Sequence, residues 1–147
     1  MKTFYTHSSE ETIELGMKIG KLLKANDNVL LVGDLSCGKT TITKGIGVSL
    51  GVKKIINSPT FTIVKEYKGD NLKLYHLDLY RLDGLNNDFD LEEYLYSNNV
   101  CVIEWPYQVK DILPLEYLLI EMEKIDDNER KINISGIGRY KSLEEAL

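Results

Sequence analysis

The sequence is poor in the residues that build metal centres and disulfides. It contains two cysteines, two histidines, three prolines and one tryptophan in 147 residues. Cys37 and Cys101 are far apart and have no metal-ligand spacing, which argues against a zinc site and suits a reducing compartment. No apolar run approaches the length of a membrane span, and the amino-terminal residues are polar where a signal peptide needs an apolar region. We therefore expect a cytoplasmic protein with no membrane contact.

Positive charge is also in short supply. Lys and Arg number 18 against 23 Asp and Glu, which gives a formal net charge of −5. A surface with this balance repels nucleic-acid phosphates as a whole. The tyrosines are scattered and do not form the spaced platform on which single-stranded RNA stacks. If the protein acts in a nucleic-acid pathway, we expect partner proteins to supply most of the contact.

What the sequence does have is the alternation of strand and helix patterns found in α/β proteins. Residues 29–32 and 100–103 are continuous apolar runs, typical of parallel strands covered on both faces. Residues 61–67 with 72–80, and 117–125 with 131–135, indicate two antiparallel strand pairs. Residues 1–147 are predicted to form a single domain, a three-layer fold with a mostly parallel central sheet and added antiparallel strands.

The most informative stretch leads from the first apolar strand into a helix pattern. Gly33 and Gly38-Lys39-Thr40 match the phosphate-binding loop G-x-x-x-x-G-K-[ST]. In such a loop the backbone N–H groups and the helix N-terminus bind anions, while Lys39 reaches the β- and γ-phosphates and Thr40 binds Mg²⁺. The fold is thus predicted to be P-loop NTPase-like. The nucleotide-binding residues predicted in this loop are Leu35, Ser36, Cys37, Gly38, Lys39, Thr40 and Thr41.

Two carboxylates are candidates to complete the metal site. A P-loop enzyme needs an acidic residue at the end of a neighbouring strand, and both Asp78 and Glu104 end predicted strands. One is predicted to serve the metal with Thr40 and the other to orient the attacking water, and the pattern leaves open which does which. Lys39, Asp78 and Glu104 are therefore the catalytic candidates. His76 shares a strand face with Asp78; a bond between them is one interpretation, and a buried structural histidine is the favoured one.

Five blocks occur in one order along the chain. They are Thr6-His7-Ser8 with Glu11-Thr12, the phosphate loop, Ser58-Pro59-Thr60-Phe61, His76-x-Asp78-x-Tyr80-Arg81, and Glu104-Trp105. Their order and spacing resemble the bacterial TsaE (formerly YjeE) family, small ATPases of tRNA threonylcarbamoyladenosine biosynthesis. The resemblance covers nearly the whole chain, and the S-P-T-F and H-x-D-x-Y-R blocks make it specific.

This resemblance implies a function. It implies that the protein binds ATP and Mg²⁺, hydrolyses ATP slowly alone and faster with partners, and supports TsaD-like and TsaB-like proteins. Those proteins transfer threonylcarbamoyl to the adenosine next to the anticodon, so tRNA would meet this chain only indirectly. It also implies that Thr60 senses the γ-phosphate, that Thr12 and Arg139 line the adenine side, and that Trp105 lies beside the active site or at the partner interface.

The chain departs from the family at Ser36-Cys37, where Gly-Ala is usual. Ser36 lacks glycine's freedom at positive φ, so we expect either a negative φ or modest strain there. Cys37 lies near a helix N-terminus, and we expect a lowered thiol pKa. Gly45 and Gly47, inside the helix that follows, are interpreted as close packing against the sheet.

Two other functions fit the phosphate loop. One is a small kinase of a metabolite or nucleoside, although the sequence has few arginines and no obvious lid. The other is a docking module that binds ATP with negligible hydrolysis, which needs the same residues as a slow ATPase. A GTPase is disfavoured because no N-K-x-D sequence is present.

Overall fold

The apolar runs of the sequence form the middle of one sheet in the computed structural model, which describes residues 1–34, 36–59, 63–80, 90–106 and 113–147. The strands are β1 (Lys2–Thr6), β2 (Asn28–Val32), β3 (Val64–Lys68), β4 (Lys73–Asp78), β5 (Val100–Glu104), β6 (Tyr117–Lys124) and β7 (Arg130–Ile137). The helices are α1 (Ser9–Leu22), α2 (Lys39–Leu50), α3 (Glu92–Leu95) and α4 (Lys141–Ala146), and a 3₁₀ turn, Gly138–Tyr140, precedes α4.

The sheet is parallel in its centre and antiparallel at its edges. In the described part of the chain the strand order is β1-β7-β6-β2-β5-β4-β3. Strands β6, β2, β5 and β4 run parallel, whereas β7 is antiparallel to β6, β1 to β7, and β3 to β4. This arrangement confirms the predicted mixed α/β class and both predicted antiparallel strand pairs.

The sheet separates two apolar cores and so creates three layers. On one face, Val29 and Leu31 of β2 belong to a core that includes Ile19 of α1 and Ile42 of α2. On the other face, Leu30 of β2 belongs to a second core with Leu77, Ile103, Leu91 and Leu95. Strand β2 has residues of both cores at alternate positions, as expected for a strand that is covered on both sides. Within the described segments, no helix is both long and apolar enough to cross a membrane.

Helices α1 and α2 touch through their backbones. A Cβ atom on Gly45 would overlap the carbonyl oxygen of Ile13 and lie 2.9 Å from the Cα of Gly16. The glycines therefore allow an approach that any side chain would prevent. Gly45 packs against α1, so its interpretation as a sheet contact is wrong. Gly47 packs against Ile56 and, on the sheet, Leu74.

This contact generates a stability prediction. We expect Gly45→Ala to lower the free energy of unfolding by about 2 kcal/mol because of overpacking, although alanine's helix propensity alone would raise it by about 1 kcal/mol. Val48→Ala is a matched control in the same helix, since its side chain is exposed, and it should change stability by less than about 0.5 kcal/mol. Urea unfolding monitored by circular dichroism measures both. A Gly45→Ala protein as stable as the wild type would contradict the close helix contact.

Candidate functional site

The predicted phosphate loop joins the end of β2 to the start of α2. Gly38 is the N-cap of α2 and has a φ of +101°, a conformation that favours glycine. Gly33 has no room for a side chain, because a Cβ would lie 2.5 Å from the Cys37 Sγ and 2.7 Å from the Met122 carbonyl oxygen. Both glycines of the motif are therefore required by local geometry. Leu35 lies outside the described residues.

Lys39 lies against this loop. Its ammonium donates hydrogen bonds to the carbonyl oxygens of Gly33, at 2.5 Å, and Asp34, at 3.1 Å. It is also 4.5 Å from the centre of the Trp105 ring, a cation–π contact. The positive charge is thus fixed next to the N-terminus of α2, whose partial charge has the same sign.

Asp78 and Glu104 lie at the carboxyl ends of neighbouring parallel strands. The register of β4 and β5 pairs the two residues directly, and the register of β2 and β5 pairs Glu104 with Leu31, two residues before the loop. Both carboxylates therefore reach the end of the sheet where the loop begins. Glu104 is buried, and its Oε2 is hydrogen-bonded to Nε2 of His76. His76 thus bonds to Glu104, and the structure shows no bond between its ring and Asp78.

Asp78 is less buried than Glu104 and has a perturbed acidity. Its Oδ1 accepts a hydrogen bond of 3.0 Å from the backbone N–H of Tyr80. Burial raises the pKa of the Asp78 carboxyl above its ordinary value, and the charge of Glu104 adds to this shift. The Tyr80 hydrogen bond and the charge of Lys39 oppose the shift. A cation beside Asp78 would favour its ionised form.

These groups line one cleft of about 360 Å³ between the loop and the strand ends. The residues around it are Ser36, Cys37, Gly38, Lys39, Thr40, Thr41, Ser58, Asp78, Glu104, Trp105 and Arg130. Thr12 lines a smaller adjoining cleft that shares Gly38, Thr41 and Arg130 with the first. The described loop residues and both predicted carboxylates are therefore brought together.

Comparisons with known proteins show the family to which the chain belongs. Residues 6–132 match the model of a family described as threonylcarbamoyl adenosine biosynthesis protein TsaE. The chain belongs to the TsaE family. It is 42% identical to the tRNA threonylcarbamoyladenosine biosynthesis protein TsaE of Bacillus subtilis (strain 168), over 97% of this chain and 90% of the relative. It is 39% identical to the protein of the same name from Treponema pallidum, over 88% of this chain and 97% of the relative.

A solved structure gives the same result for the fold. The crystal structure of Bacillus subtilis YdiB matches with a TM-score of 0.85 and 36% sequence identity, over 99% of this chain and 93% of the other. Family and fold together identify a P-loop nucleotide-binding protein of the TsaE family.

Three residues predicted for the TsaE-type site, Arg139, Thr60 and Leu35, lie elsewhere in the structure or outside the described residues. Arg139 lies at the amino end of β2, where Nη1 donates to Asp27 Oδ1 at 2.7 Å and the guanidinium packs on the Tyr140 ring. The carboxyl end of β2 leads into the loop, so Arg139 is not brought to the cleft. Thr60 lies outside the described residues, as do Phe61 and Arg81 of the quoted sequence blocks.

Arg130 is a residue of the site that the sequence did not indicate. It begins β7, and its Nε donates a hydrogen bond of 3.0 Å to the carbonyl oxygen of Cys37 in the loop. Its Nη1 donates to the Asp126 carbonyl oxygen at 2.7 Å, so the guanidinium links the β6–β7 turn to the loop. No motif surrounds Arg130 in the sequence. Only the position of β6 between β2 and β7 brings it to this place.

The Ser36-Cys37 departure from the TsaE pattern has two structural outcomes. Ser36 has a φ of +66°, so the loop takes the strained alternative. Cys37 is buried against Gly33, and burial raises the pKa of its thiol although Lys39 opposes the shift. The predicted lowering of the pKa is therefore wrong, because desolvation of the thiolate outweighs the charge of Lys39. Cys101 is fully buried in β5, as predicted.

The strain at Ser36 generates a prediction. We expect Ser36→Gly to raise the free energy of unfolding by about 0.5–1 kcal/mol, because relief of the left-handed strain exceeds the entropy that glycine adds to the unfolded chain. Ser36→Ala is the matched control: it removes the hydroxyl but keeps the Cβ, so it should give no gain. Chemical denaturation compares the three proteins. Equal stability of the Gly and Ala variants would show that the φ of Ser36 costs nothing.

Proposed function

We propose that this TsaE-family protein binds ATP with Mg²⁺ in the cleft between the loop and the strand ends, and hydrolyses it slowly. One observation supports this most directly. The phosphate loop, Lys39 and the register-paired carboxylates Asp78 and Glu104 line the same cleft. An anion-binding loop beside two carboxylates suits a ligand that combines phosphates with a divalent cation.

The phosphates would be held by the loop. Its backbone N–H groups and the N-terminus of α2 provide donors and partial positive charge. Lys39 adds a full charge, and Arg130 a second one that lines the same cleft. Thr12 would contribute on the adjoining side, which the nucleoside would occupy. Leu35 and Thr60 stay predictions for nucleotide contacts.

The two carboxylates would have different roles. Mg²⁺, when bound, neutralises phosphate charge and prefers oxygen ligands. We assign Asp78 to the metal together with Thr40, because a cation beside Asp78 offsets the burial and the neighbouring charge that raise its pKa. Glu104 is buried and held by a hydrogen bond, which suits a base that orients the attacking water. Trp105 would cover the Lys39 side of the cleft.

The pathway follows from the relatives. The Bacillus subtilis and Treponema pallidum proteins are named for tRNA threonylcarbamoyladenosine biosynthesis. We infer that this chain serves the same pathway in the cytoplasm, in a complex with TsaD-like and TsaB-like proteins. Its net charge of −5 agrees with contact to tRNA through those partners.

The first experiment tests the site. We expect calorimetry with Mg²⁺ to show ATP binding by the wild type and a loss of at least about tenfold in affinity for Lys39→Ala, which removes a phosphate-binding charge. Glu104→Gln should bind ATP nearly as the wild type but lose about 100-fold in turnover. Glu123→Gln, an exposed position on β6, is the control that should change neither. Wild-type turnover by Glu104→Gln would refute the catalytic role of Glu104. Turnover too slow to detect even with partners would favour the docking module.

The second experiment tests the partners. A tagged protein incubated with purified TsaD-like and TsaB-like proteins should retain both when ATP and Mg²⁺ are present. Lys39→Ala should lose this dependence on nucleotide, because it lacks the charge that binds the phosphates. Quantitative pull-down with ATP, ADP and no nucleotide measures the effect. If neither protein is retained in any nucleotide state, the proposed complex is wrong.

A further inference from the structure

A histidine and a carboxylate of neighbouring strands form a buried pair beneath the cleft. His76 of β4 is 0% exposed and Glu104 of β5 is 3% exposed. Nε2 of His76 and Oε2 of Glu104 are hydrogen-bonded. The strand register pairs His76 with Val102, so the ring reaches diagonally along β5 to the next residue on the same face. Two paired strands thus determine the position of both partners.

The hydrogen-bonding capacity of the ring determines which nitrogen carries the proton. An ionised carboxylate can only accept, so a bond to Oε2 requires a proton on Nε2. Nδ1 is buried and has no hydrogen-bond partner among the described residues. Nδ1 is thus unsatisfied among these residues with or without a proton, and the bond to the carboxylate is what distinguishes the two nitrogens: a single proton placed on Nδ1 would leave Nε2 facing the carboxylate with a lone pair. The bond to Glu104 therefore determines that Nε2 carries a proton.

The bond uses one oxygen of Glu104 and leaves the other available. Oε2 is fixed by the ring, while the Glu104 side chain also lines the cleft. A glutamate has three rotatable bonds, and holding it in one rotamer is what general-base catalysis requires. Ordering the side chain before substrate binds removes that entropy cost from the reaction.

We propose that His76 is the positioning residue of Glu104: its Nε2–H holds the carboxylate so that Oε1 is presented to the cleft. This rests on the proposed function, in which Glu104 orients the attacking water. His76 touches no phosphate in this arrangement and acts only through Glu104. The specific chemical requirement is one N–H donor at the position of Nε2.

Two amide variants test that requirement. The glutamine amide nitrogen can occupy the position of Nε2, whereas the asparagine amide is shorter and corresponds to Nδ1. We expect His76→Asn to lower kcat for ATP hydrolysis on the order of 10- to 100-fold with KM within about twofold, because a catalytic group displaced by about 1 Å can cost about 100-fold in rate. His76→Gln should recover most of the lost kcat. Each variant places an amide side chain at the buried position of His76 and can lower stability. Each protein is therefore assayed below its own melting temperature.

A double-variant cycle separates this inference from the proposed function. In a Glu104→Gln background, His76→Asn should lower kcat by less than about twofold, because its effect acts through Glu104. Equal losses in His76→Asn and His76→Gln, or wild-type kcat in His76→Asn, would overturn the positioning role while leaving Glu104 as the base. Wild-type turnover in Glu104→Gln alone would overturn both.

A measurement without nucleotide provides an independent readout. The chain has only two histidines, so ¹⁵N-histidine NMR of the wild type and a His7→Gln variant assigns the ring signals of His76. We expect Nε2 to carry a proton, because it donates to Glu104. In Glu104→Gln the Nε2 signal should shift, since its acceptor changes from a carboxylate to an amide. An Nε2 without a proton in the wild type would overturn the inference.

Discussion

The parallel pairing of β2 with β5 and of β5 with β4 is the constraint on which the rest of the structure depends. Parallel strands end at the same edge of a sheet, about 4.8 Å apart, so the loop after β2 and the carboxylates of β4 and β5 must be neighbours. The register places Leu31, Glu104 and Asp78 in one row. A slip of one residue would turn Glu104 to the other face, away from His76 and α2. The chemistry of the cleft therefore depends on the core residues that fix this register.

The loop needs support from elements that are distant in sequence. Helix α2 packs on α1 through backbone contacts at Gly45 and Gly16, so these glycines set how closely the two helices approach. Arg130, at the start of β7, donates a hydrogen bond to the carbonyl oxygen of Cys37 in the loop. Ser36 and Trp105 both have positive φ values, +66° and +55°, on the border of the cleft. Such conformations persist where the surrounding contacts hold them, and they concentrate at binding sites.

Patterns that are local in the chain were sufficient to predict the fold class, the antiparallel strand pairs, the loop and both carboxylates. Each depends on spacing within a few residues or on an apolar run. One of the two sequence interpretations of His76 was a bond to Asp78, whereas the structure bonds its ring to Glu104. The sequence could not distinguish the two carboxylates, because the register between strands is a long-range property. Arg130 was missed for the same reason, and Arg139 was placed by a family pattern although its ionic partner, Asp27, lies at the amino end of β2. The acidity of Cys37 depends on burial, which the motif does not report.

The charges of the described residues around the cleft are consistent with the proposed binding of a nucleotide together with a metal. Among the described residues that line it, Lys39 and Arg130 carry positive charge and Asp78 and Glu104 carry negative charge, so these four formal charges cancel. A triphosphate is strongly anionic, and two carboxylates at its border would repel it. In the proposed function, a divalent cation between the phosphates and Asp78 would turn that repulsion into attraction and would offset the burial that raises the pKa of Asp78. Binding of the proposed nucleotide and binding of the metal would then be coupled, because each supplies the charge that the other needs.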